Sequence, residues 1–600
     1  MKHLSLTHLA SGLVAAGLSA NAAAQSSTLP SAQILAVQAG SAVMPDPLIQ
    51  TFVIDSDTLV ADPGASIFDV LSTAPSVQLK QNGAPGSTSS VSIRGARPEG
   101  TLVLIDGVRY GSVSSAQAQL SLIPAQSVER VEIYYGAAAA ARFGADASGG
   151  VIQLFTKSQA AGSASLSTFV GTHDQYGASA AGGATLGTAT FSAQVGYQEF
   201  GGFSSVKDPA NFAYEPDRDS YDARFASMQY RQRFGNTELK LSGLINESTT
   251  EFDAGDARGN TEQDQLNGGA NLELTHRLGS TLLSASHGVS VDKGEVETPF
   301  RSYFKTIQNQ SKLYAHQGLG ANGLVSVGTE YLDQKLDTQG SYAVDHRRIA
   351  SLVAGVIDQS ERFDVSATTR VDKAEGVAPE TGGSIAAAYR VLPSVRVGAQ
   401  AARAYRLPNF NDLYSPFGAN PDLEAETTRA GELFAEAQAG KTTGRVTVHR
   451  SLVDNYILLD SMWIPQNLDR AVISGVSLTA STSLARTSLS GSYDYLDAKN
   501  QNEQVLPYRS RHAVTLSAAQ PIGAVVARLE GRYNSAQASQ LGGDRNLGGY
   551  TLLDAALNGE VNSKLGYRLR VNNLLDTDYE LTPGYATAGV EVVGGLTLSY

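Results

Sequence analysis

The chain has 600 residues, more than one soluble core normally fills, so several domains or one very large barrel are required. Its formal net charge of -13 argues against nucleic acid, which selects a basic footprint, and the absence of cysteine excludes disulfides, thiolate metal sites and cysteine nucleophiles. Only 17% of residues are charged, yet no run approaches the ~18 apolar residues of a membrane helix, a limit that does not apply to a β-barrel.

The N-terminus carries Lys2 and His3, an apolar stretch from Leu4 to Leu18, and the small residues Ala22-Ala23-Ala24 before Gln25. This is the pattern of a secretory signal over residues 1–24, with an apolar region too short to span a membrane. Residues 25–48 form a polar, Pro-containing, Ala-rich tail with no amphipathic period, expected to be flexible. Inside it, Gln33-Ile34-Leu35-Ala36-Val37 is the centre of an apolar, β-prone segment, residues 32–39, with no core of its own to join.

A small α+β domain is expected over residues 49–157. A strand from Gln50 to Asp55 leads through Asp62-Pro63-Gly64 to a helix from about Ser66 to Ala74, which Ser66 can cap and on which Ile67, Val70 and Leu71 share a face. Four runs follow: Ser89 to Gly95, Thr101 to Arg109, Val128 to Tyr134, and Arg142 to Leu154. Each is short and β-branched and carries Gly at its end or turn, as strands buried in a small globular unit do. Asp106-Gly107 reads as a turn between strands. Two Gly/Ser/Asn-rich loops without an apolar period, Gln81 to Thr88 and Tyr110 to Ser115, connect these elements.

After Lys157 the pattern changes to period-two alternation. Leu239, Leu241, Gly243 and Ile245 fall on one face, with Glu238, Lys240 and Ser242 on the other; Tyr567, Leu569 and Val571 alternate with Arg568, Arg570 and Asn572. One face suits lipid and the other a wet lumen. A soluble sandwich also alternates, but the 443 residues from 158 to 600, at about 20 per strand with its connection, give about 22 strands, the number of plugged outer-membrane transporters. The fold class expected is therefore an all-β transmembrane barrel of about 22 antiparallel strands, with the α+β domain as a plug in its lumen.

The four plug segments, in this order, resemble the plug of TonB-dependent outer-membrane receptors. One departure stands out: Tyr135-Gly136-Ala137 and an alanine run occupy the place of the family's usual Arg-Gly-Pro, which leaves the local turn open. The barrel is similar to that of the family's cobalamin receptors in Tyr405-Arg406-Leu407-Pro408-Asn409, in Asn420-Pro421-Asp422-Leu423, in Val571 to Glu580 and in Gly584-Tyr585-Ala586-Thr587-Ala588-Gly589. The resemblance implies an outer membrane of a Gram-negative cell as location and Gln33 to Val37 as a Ton box that adds a strand to a TonB sheet. It implies a corrinoid ligand, outer-membrane lipid around the wall and a periplasmic binding protein downstream. The ligand is expected on Asn82, Gly83, Ser87 and Thr88 of one plug loop and Tyr110, Ser112 and Ser114 of the other. Neutral loops of this kind supply hydrogen bonds and one aromatic face.

Tight turns at Gly187-Thr188, Phe234-Gly235-Asn236 and Arg277-Leu278-Gly279 mark the periplasmic end, because such barrels have short periplasmic turns. Residues 201–220 and 249–264 then lie at the outer mouth. They carry Asp217, Asp219, Asp253 and Asp264, which the resemblance assigns to calcium, a cation that takes several oxygen ligands. Arg218 stands within the first set. Arg94, Arg109, Arg142, Glu129, Glu132 and Asp106 are candidates for holding the plug against the wall. A siderophore or another scarce cofactor is the alternative ligand. A passive porin or adhesin would have neither plug nor Ton box. Catalytic motifs of the Gly-x-Ser-x-Gly, His-Glu-x-x-His and phosphate-loop kinds are missing, so no enzyme is expected. Trp463, the sole tryptophan, is expected at a membrane interface or in loop packing.

Overall fold

The computed structural model describes residues 46–255, 261–296, 301–460 and 462–600. The signal segment and Gln33 to Val37 lie outside the described residues.

Strand β1 (Thr51–Ile54) opens the plug, followed by helices α1 (Ser56–Leu59) and α2 (Ile67–Leu71). Helix α2 starts where Ser66 predicts: the Ser66 hydroxyl accepts from the Asp69 N–H and the Asp69 carboxylate accepts from the Ser66 N–H. It ends earlier than expected. The N–H groups of Ser72, Thr73 and Ala74 donate three residues back, which tightens the last turn, and Pro75 disfavours a helical Ala74.

Strands β2 (Val77–Gln81) and β3 (Ser89–Ile93) pair with each other. The strands β4 (Thr101–Ile105), β5 (Val108–Tyr110), β6 (Val128–Tyr135) and β7 (Gly150–Thr156) join β1 in a five-stranded sheet of order β1-β6-β7-β4-β5. Asp106 and Gly107, with φ of 47° and 87°, make the tight turn between β4 and β5. The plug core comes from Ile67, Phe68, Leu71, Ile93, Val131 and Ile152. The unfamiliar Tyr135-Gly136-Ala137 stretch is a turn at Gly136 (φ 83°) leading into helix α3 (Ala140–Phe143). Its alanines pack on Ala404 of the barrel, where larger side chains would hold plug and wall apart.

Twenty-two strands, β8 (Ala164–Gly171) to β29 (Glu591–Ser599), pair antiparallel in sequence, and β29 pairs with β8 to close the barrel. Polarity is inverted relative to a soluble core. In β15 (Ser302–Leu319), Gln308, Gln310 and Lys312 are buried while Leu313 is 57% exposed. In β12 (Thr237–Phe252), Glu238 and Ser242 point inward as expected while Ile245 is 47% exposed. Apolar residues cover the outside because lipid is their solvent. Gly187, Gly235 and Gly279, with φ near 60°, sit in the tight turns at one end of the barrel.

Candidate functional site at the outer mouth

Opposite those turns, the loop 204–218 joins β10 (Ala189–Phe203) to β11 (Asp219–Phe234), and a second loop leaves β12 at Asp253. Carboxylate oxygens of Glu215, Asp217 and Asp253 lie within 4.8 Å of one another. One oxygen each of Asp217 and Asp253 is buried without a hydrogen-bond partner. Burial, aided by Asp217, pushes the Asp253 carboxyl up against the lowering effect of a bond from the Val206 N–H. Such a set, short of hydrogen-bond donors and oxygen-rich, fits a hard cation such as calcium.

The set differs from the one implied by resemblance. Asp217 and Asp253 come together, and Glu215 joins them. Asp219 stands beside the set and accepts from the Ser205 N–H at 2.6 Å, while Asp253 accepts from the Val206 N–H at 2.7 Å. Asp264 is exposed on β13 (Thr261–Leu278) and accepts from the Thr249 hydroxyl at 2.8 Å. The pleat sends Thr261 and Gln265 inward and Asp264 to the other face, so it does not join the cluster. Arg218 pairs with Asp174 at 2.7 Å in an exposed bridge. Glu215 was legible in principle: Glu215, Asp217 and Asp219 form an alternating acidic run.

The two held N–H groups continue to the plug. The Ser205 hydroxyl accepts from the Ala84 N–H at 3.1 Å, and Gly83 lies so close that a Cβ there would sit 2.3 Å from the Ser205 side chain. Gly86 fits against Tyr221 in the same way, and the Thr250 hydroxyl donates to its carbonyl at 3.4 Å. The carbonyl of Ser205 accepts from the Ala586 N–H, and the Lys207 N–H donates to the Gly584 carbonyl, so Gly584-Tyr585-Ala586 closes the other side. Acidic cluster, plug loop and the 584–586 loop therefore meet on residues 205–207.

Of the first predicted ligand loop, Thr88 is exposed; Asn82 is half-buried and Ser87 buried, each with a side-chain oxygen lacking a partner. The second loop departs from expectation. Tyr110 is in the plug core, and its hydroxyl donates to the Gln119 carbonyl at 3.3 Å, so it offers no aromatic face. Alternation along β5 turns it inward. Ser112 and Ser114 bond each other at 2.7 Å. Helix α4 (Phe410–Tyr414) covers them from the barrel: the Asn411 N–H donates to the Ser114 carbonyl at 3.0 Å. Trp463 lies on an outer turn, 77% exposed, with φ of 63°.

Among the charged plug residues, Arg94 reaches the wall and meets Glu432 at 2.6 Å. Arg142 pairs with Asp46 of the tail and reaches Thr368 of the barrel at 3.4 Å. Arg109 pairs with Asp146 at 3.1 Å, Asp106 holds Thr156, Glu129 accepts from Ser158 and Glu132 from Arg130, all within the plug or its exit. Burial pushes the Glu99 carboxyl up, but Arg97 at 2.9 Å and the nearby Arg406 outweigh it and hold the group at about 2.

Comparison with known proteins agrees with this architecture. Residues 155–574 match the family model described as TonB dependent receptor-like, beta-barrel, and residues 47–151 match the TonB-dependent Receptor Plug Domain. The Vitamin B12 transporter BtuB of Photobacterium profundum is 27% identical over 545 residues, 88% of each chain. Among solved structures, a ferric enterobactin receptor (PfeA) mutant from Pseudomonas aeruginosa superposes with a TM-score of 0.80 at 17% identity, covering 92% of this chain and 98% of that one. The siderophore receptor PirA from Acinetobacter baumannii gives 0.79 at 16%, with 92% and 98% covered. At such identities these structures share the fold alone. A plug and a 22-stranded barrel, each matched by its own family model, make this chain a member of the TonB-dependent receptor family.

Proposed function

We propose that the protein imports a corrinoid, cobalamin or a close relative, across the outer membrane of a Gram-negative cell, driven by TonB through the strand-forming segment Gln33 to Val37. The observation that carries this reading is the joining of the acidic rim to the plug loop: Asp253 of the cluster holds the Val206 N–H, Asp219 beside it holds the Ser205 N–H, and the Ser205 hydroxyl accepts from the Ala84 N–H. Ligand held by Asn82, Ser87 and Thr88 would bear on the same short segment that the carboxylates hold. A relative named as a vitamin B12 transporter supports the ligand class.

Several cations near the mouth are committed to carboxylates, which leaves room for a largely neutral ligand, while Lys80 beside the plug loop packs on the Tyr508 ring. Lys207 is bound to Asp578 and Glu580, Arg218 to Asp174, Arg97 to Glu99, and Arg406 to Glu426 and Asp412. Cations already paired offer little to a ferric siderophore. The ring of His173 packs on Phe200 and Phe203, with centroids 5.6 and 5.7 Å away. Glu215, Asp217 and Asp253 would hold calcium, which supplies the positive charge that lets three carboxylates share one rim. The chain's own part is to fix Ser205 and Val206 and so set the height of the plug loop.

Cyanocobalamin titrated into the detergent-extracted protein, with calcium and with a chelator, tests this. Tight binding that weakens on chelation, with Asp253→Asn removing the calcium effect, is expected. Binding indifferent to calcium discards the metal site and keeps the corrinoid. Absence of binding refutes the corrinoid and turns the search to siderophores and other cofactors. Deleting residues 32–39 is expected to abolish uptake while leaving binding intact; unchanged uptake would remove the Ton-box assignment.

A further inference from the structure

On the lipid-facing wall, a groove of about 560 Å³ runs across β19 (Glu380–Leu392), β20 (Val395–Arg406), β21 (Glu426–Ala439) and β22 (Thr442–Leu459). Its floor is built from small residues in two cross-strand pairs, Ala387 with Ala399 and Ala401 with Gly431. Ile385, Leu433 and Val448 form its sides, exposed by 63%, 63% and 39%. A Cβ added at Gly431 would meet nothing within 4 Å, so no packing inside the chain demands glycine there. Elsewhere bulky side chains cover the outward face, such as Leu313 on β15 and Leu352 on β17 (His346–Gln359). The groove is a local deficit of side-chain volume on a surface that lipid must cover.

The outer end of this groove is basic. Arg403 of β20 and Arg429 of β21 lie directly opposite each other, two residues beyond Ala401 and Gly431. Arg450 of β22 lines the groove itself, facing Gly431 on one side and Ser474 of β23 (Pro465–Leu484) on the other. It is exposed and, among the described residues, has no hydrogen bond or ion pair. Arg429 is 64% exposed and reaches Asp454 only at 3.5 Å, a carboxylate that Arg470 holds at 2.7 Å. Arg403 donates to the Thr381 carbonyl and hydroxyl and meets Glu380 at 3.4 Å. Arg403, Arg429, Arg450 and Arg470 thus share two carboxylates, and like charges directly opposite in a sheet destabilise it.

An occupant that satisfies this face is apolar at one end and anionic at the other. A second copy of the chain does not fit, because a two-fold contact through the groove would bring the arginine row against itself. The acyl chain of a zwitterionic lipid fills the floor but leaves the guanidiniums without a net negative partner. A phosphate takes parallel charge-assisted hydrogen bonds from arginine, whose stem lies along apolar surface while its head reaches the interface. On a lipid face a charge is costly at the bilayer midplane and nearly free at its edge. Arg403 and Arg429 stand three residues from the outer ends of β20 and β21, so the row marks the headgroup level of the outer leaflet.

We propose that this face holds one phosphate-bearing lipid of the outer leaflet. An acyl chain lies over Ala387, Ala399, Ala401 and Gly431, and the phosphate sits among Arg403, Arg429 and Arg450. The lipid neutralises the facing arginines and fills the missing volume, and so fastens β19 to β22 from outside. The inner faces of the same strands carry the plug: Ala404 of β20 packs on the alanines of α3, and Glu432 of β21 pairs with Arg94. The bound lipid therefore stiffens the part of the wall on which the plug rests. This site is independent of which ligand the protein imports.

Native mass spectrometry of the purified, delipidated full chain in a neutral detergent tests this, with phosphatidic acid, phosphatidylcholine of the same acyl chains and inorganic phosphate as probes. One phosphatidic acid per chain is expected to survive release from the micelle and to raise the thermal midpoint; the other two probes are expected to do neither. Arg450→Gln is expected to lower retention by about tenfold. Gly431→Leu, which keeps every charge but fills the floor, is expected to lower it likewise. Lys373→Gln removes an exposed cation at the outer end of β18 (Phe363–Ala374), outside the groove, and is expected to leave retention unchanged. Equal retention of phosphatidylcholine, equal binding of inorganic phosphate, or full retention in Arg450→Gln or Gly431→Leu overturns the proposal. So does an equal loss in Lys373→Gln, or a two-chain mass that Gly431→Leu abolishes. If Gly431→Leu does not fold, Ala401→Leu takes its place under the same criterion.

Discussion

The two sides of the plug meet the same barrel by different chemistry. Toward β13–β15 the contact is backbone-directed: fixed carbonyls of the β4–β5 turn and its sequel take hydrogen bonds from Asn271, Lys312 and Gln308, and Gly288 admits close packing. Toward β21–β26, residues 426–534, ion pairs around Glu432 stand beside bonds to the plug backbone, from Arg509 to the Gly95 and Ala96 carbonyls and from the Ser76 N–H to Asp494. A carbonyl cannot turn away without moving its strand, whereas a guanidinium can swing and find water. The difference teaches that the plug is held partly through fixed backbone groups and partly through ion pairs whose side chains can find other partners.

The largest expected effect comes from Glu432→Ala, which leaves Arg94 and Arg445 buried without their shared carboxylate. Removing one member of a buried ion pair costs roughly 3–5 kcal/mol. Hydrogen exchange at residues 91–97 should accelerate and the basal bilayer conductance should rise; unchanged exchange would erase the contrast between the two sides. Asn271→Ala should have a smaller effect, because it strands one buried carbonyl at about 1–3 kcal/mol. Exchange near residues 105–108 is expected to quicken without any rise in conductance. A rise equal to that of Glu432→Ala would show that the two sides are held alike.

Acid should sharpen the contrast. Glu99 has a folded-state value lowered to about 2, so its contribution is fully present above the unfolded value of about 4.3 and is lost as pH falls from there toward 2. Local protection around residues 97–100 should decline through that window in the wild type and show no such decline in Glu99→Gln. At the small end, Arg218→Ala removes an exposed pair with Asp174, worth about 0–1 kcal/mol at most. Thermal melting should not move, and a large shift would mean that the outer loop depends on that pair.

Legibility followed the range of the interaction. The capping box at Ser66 and Asp69, the Asp106-Gly107 turn and the tight turns at Gly187, Gly235 and Gly279 are set by residues within a few positions of each other, and all were readable. The carboxylate site was half readable. Two acidic loops announced themselves, but Glu215 joined the set from its loop while Asp219 went to the Ser205 N–H and strand pleating turned Asp264 to the other face. Tyr110 failed for the same reason, its ring turned into the plug core.

The sequence by itself determined the class of molecule. Alternation over 443 residues, an aperiodic polar tail and four β-branched plug segments require a barrel with an occupied lumen, since each pattern is local and repeats. Only the tertiary structure decided where that lumen is full and where it is hollow. The contacts that stitch Asp106 to Asn271, and a chamber of about 950 Å³ that separates Phe52 from Thr479, join residues hundreds of positions apart, and no periodicity records a distance of that kind.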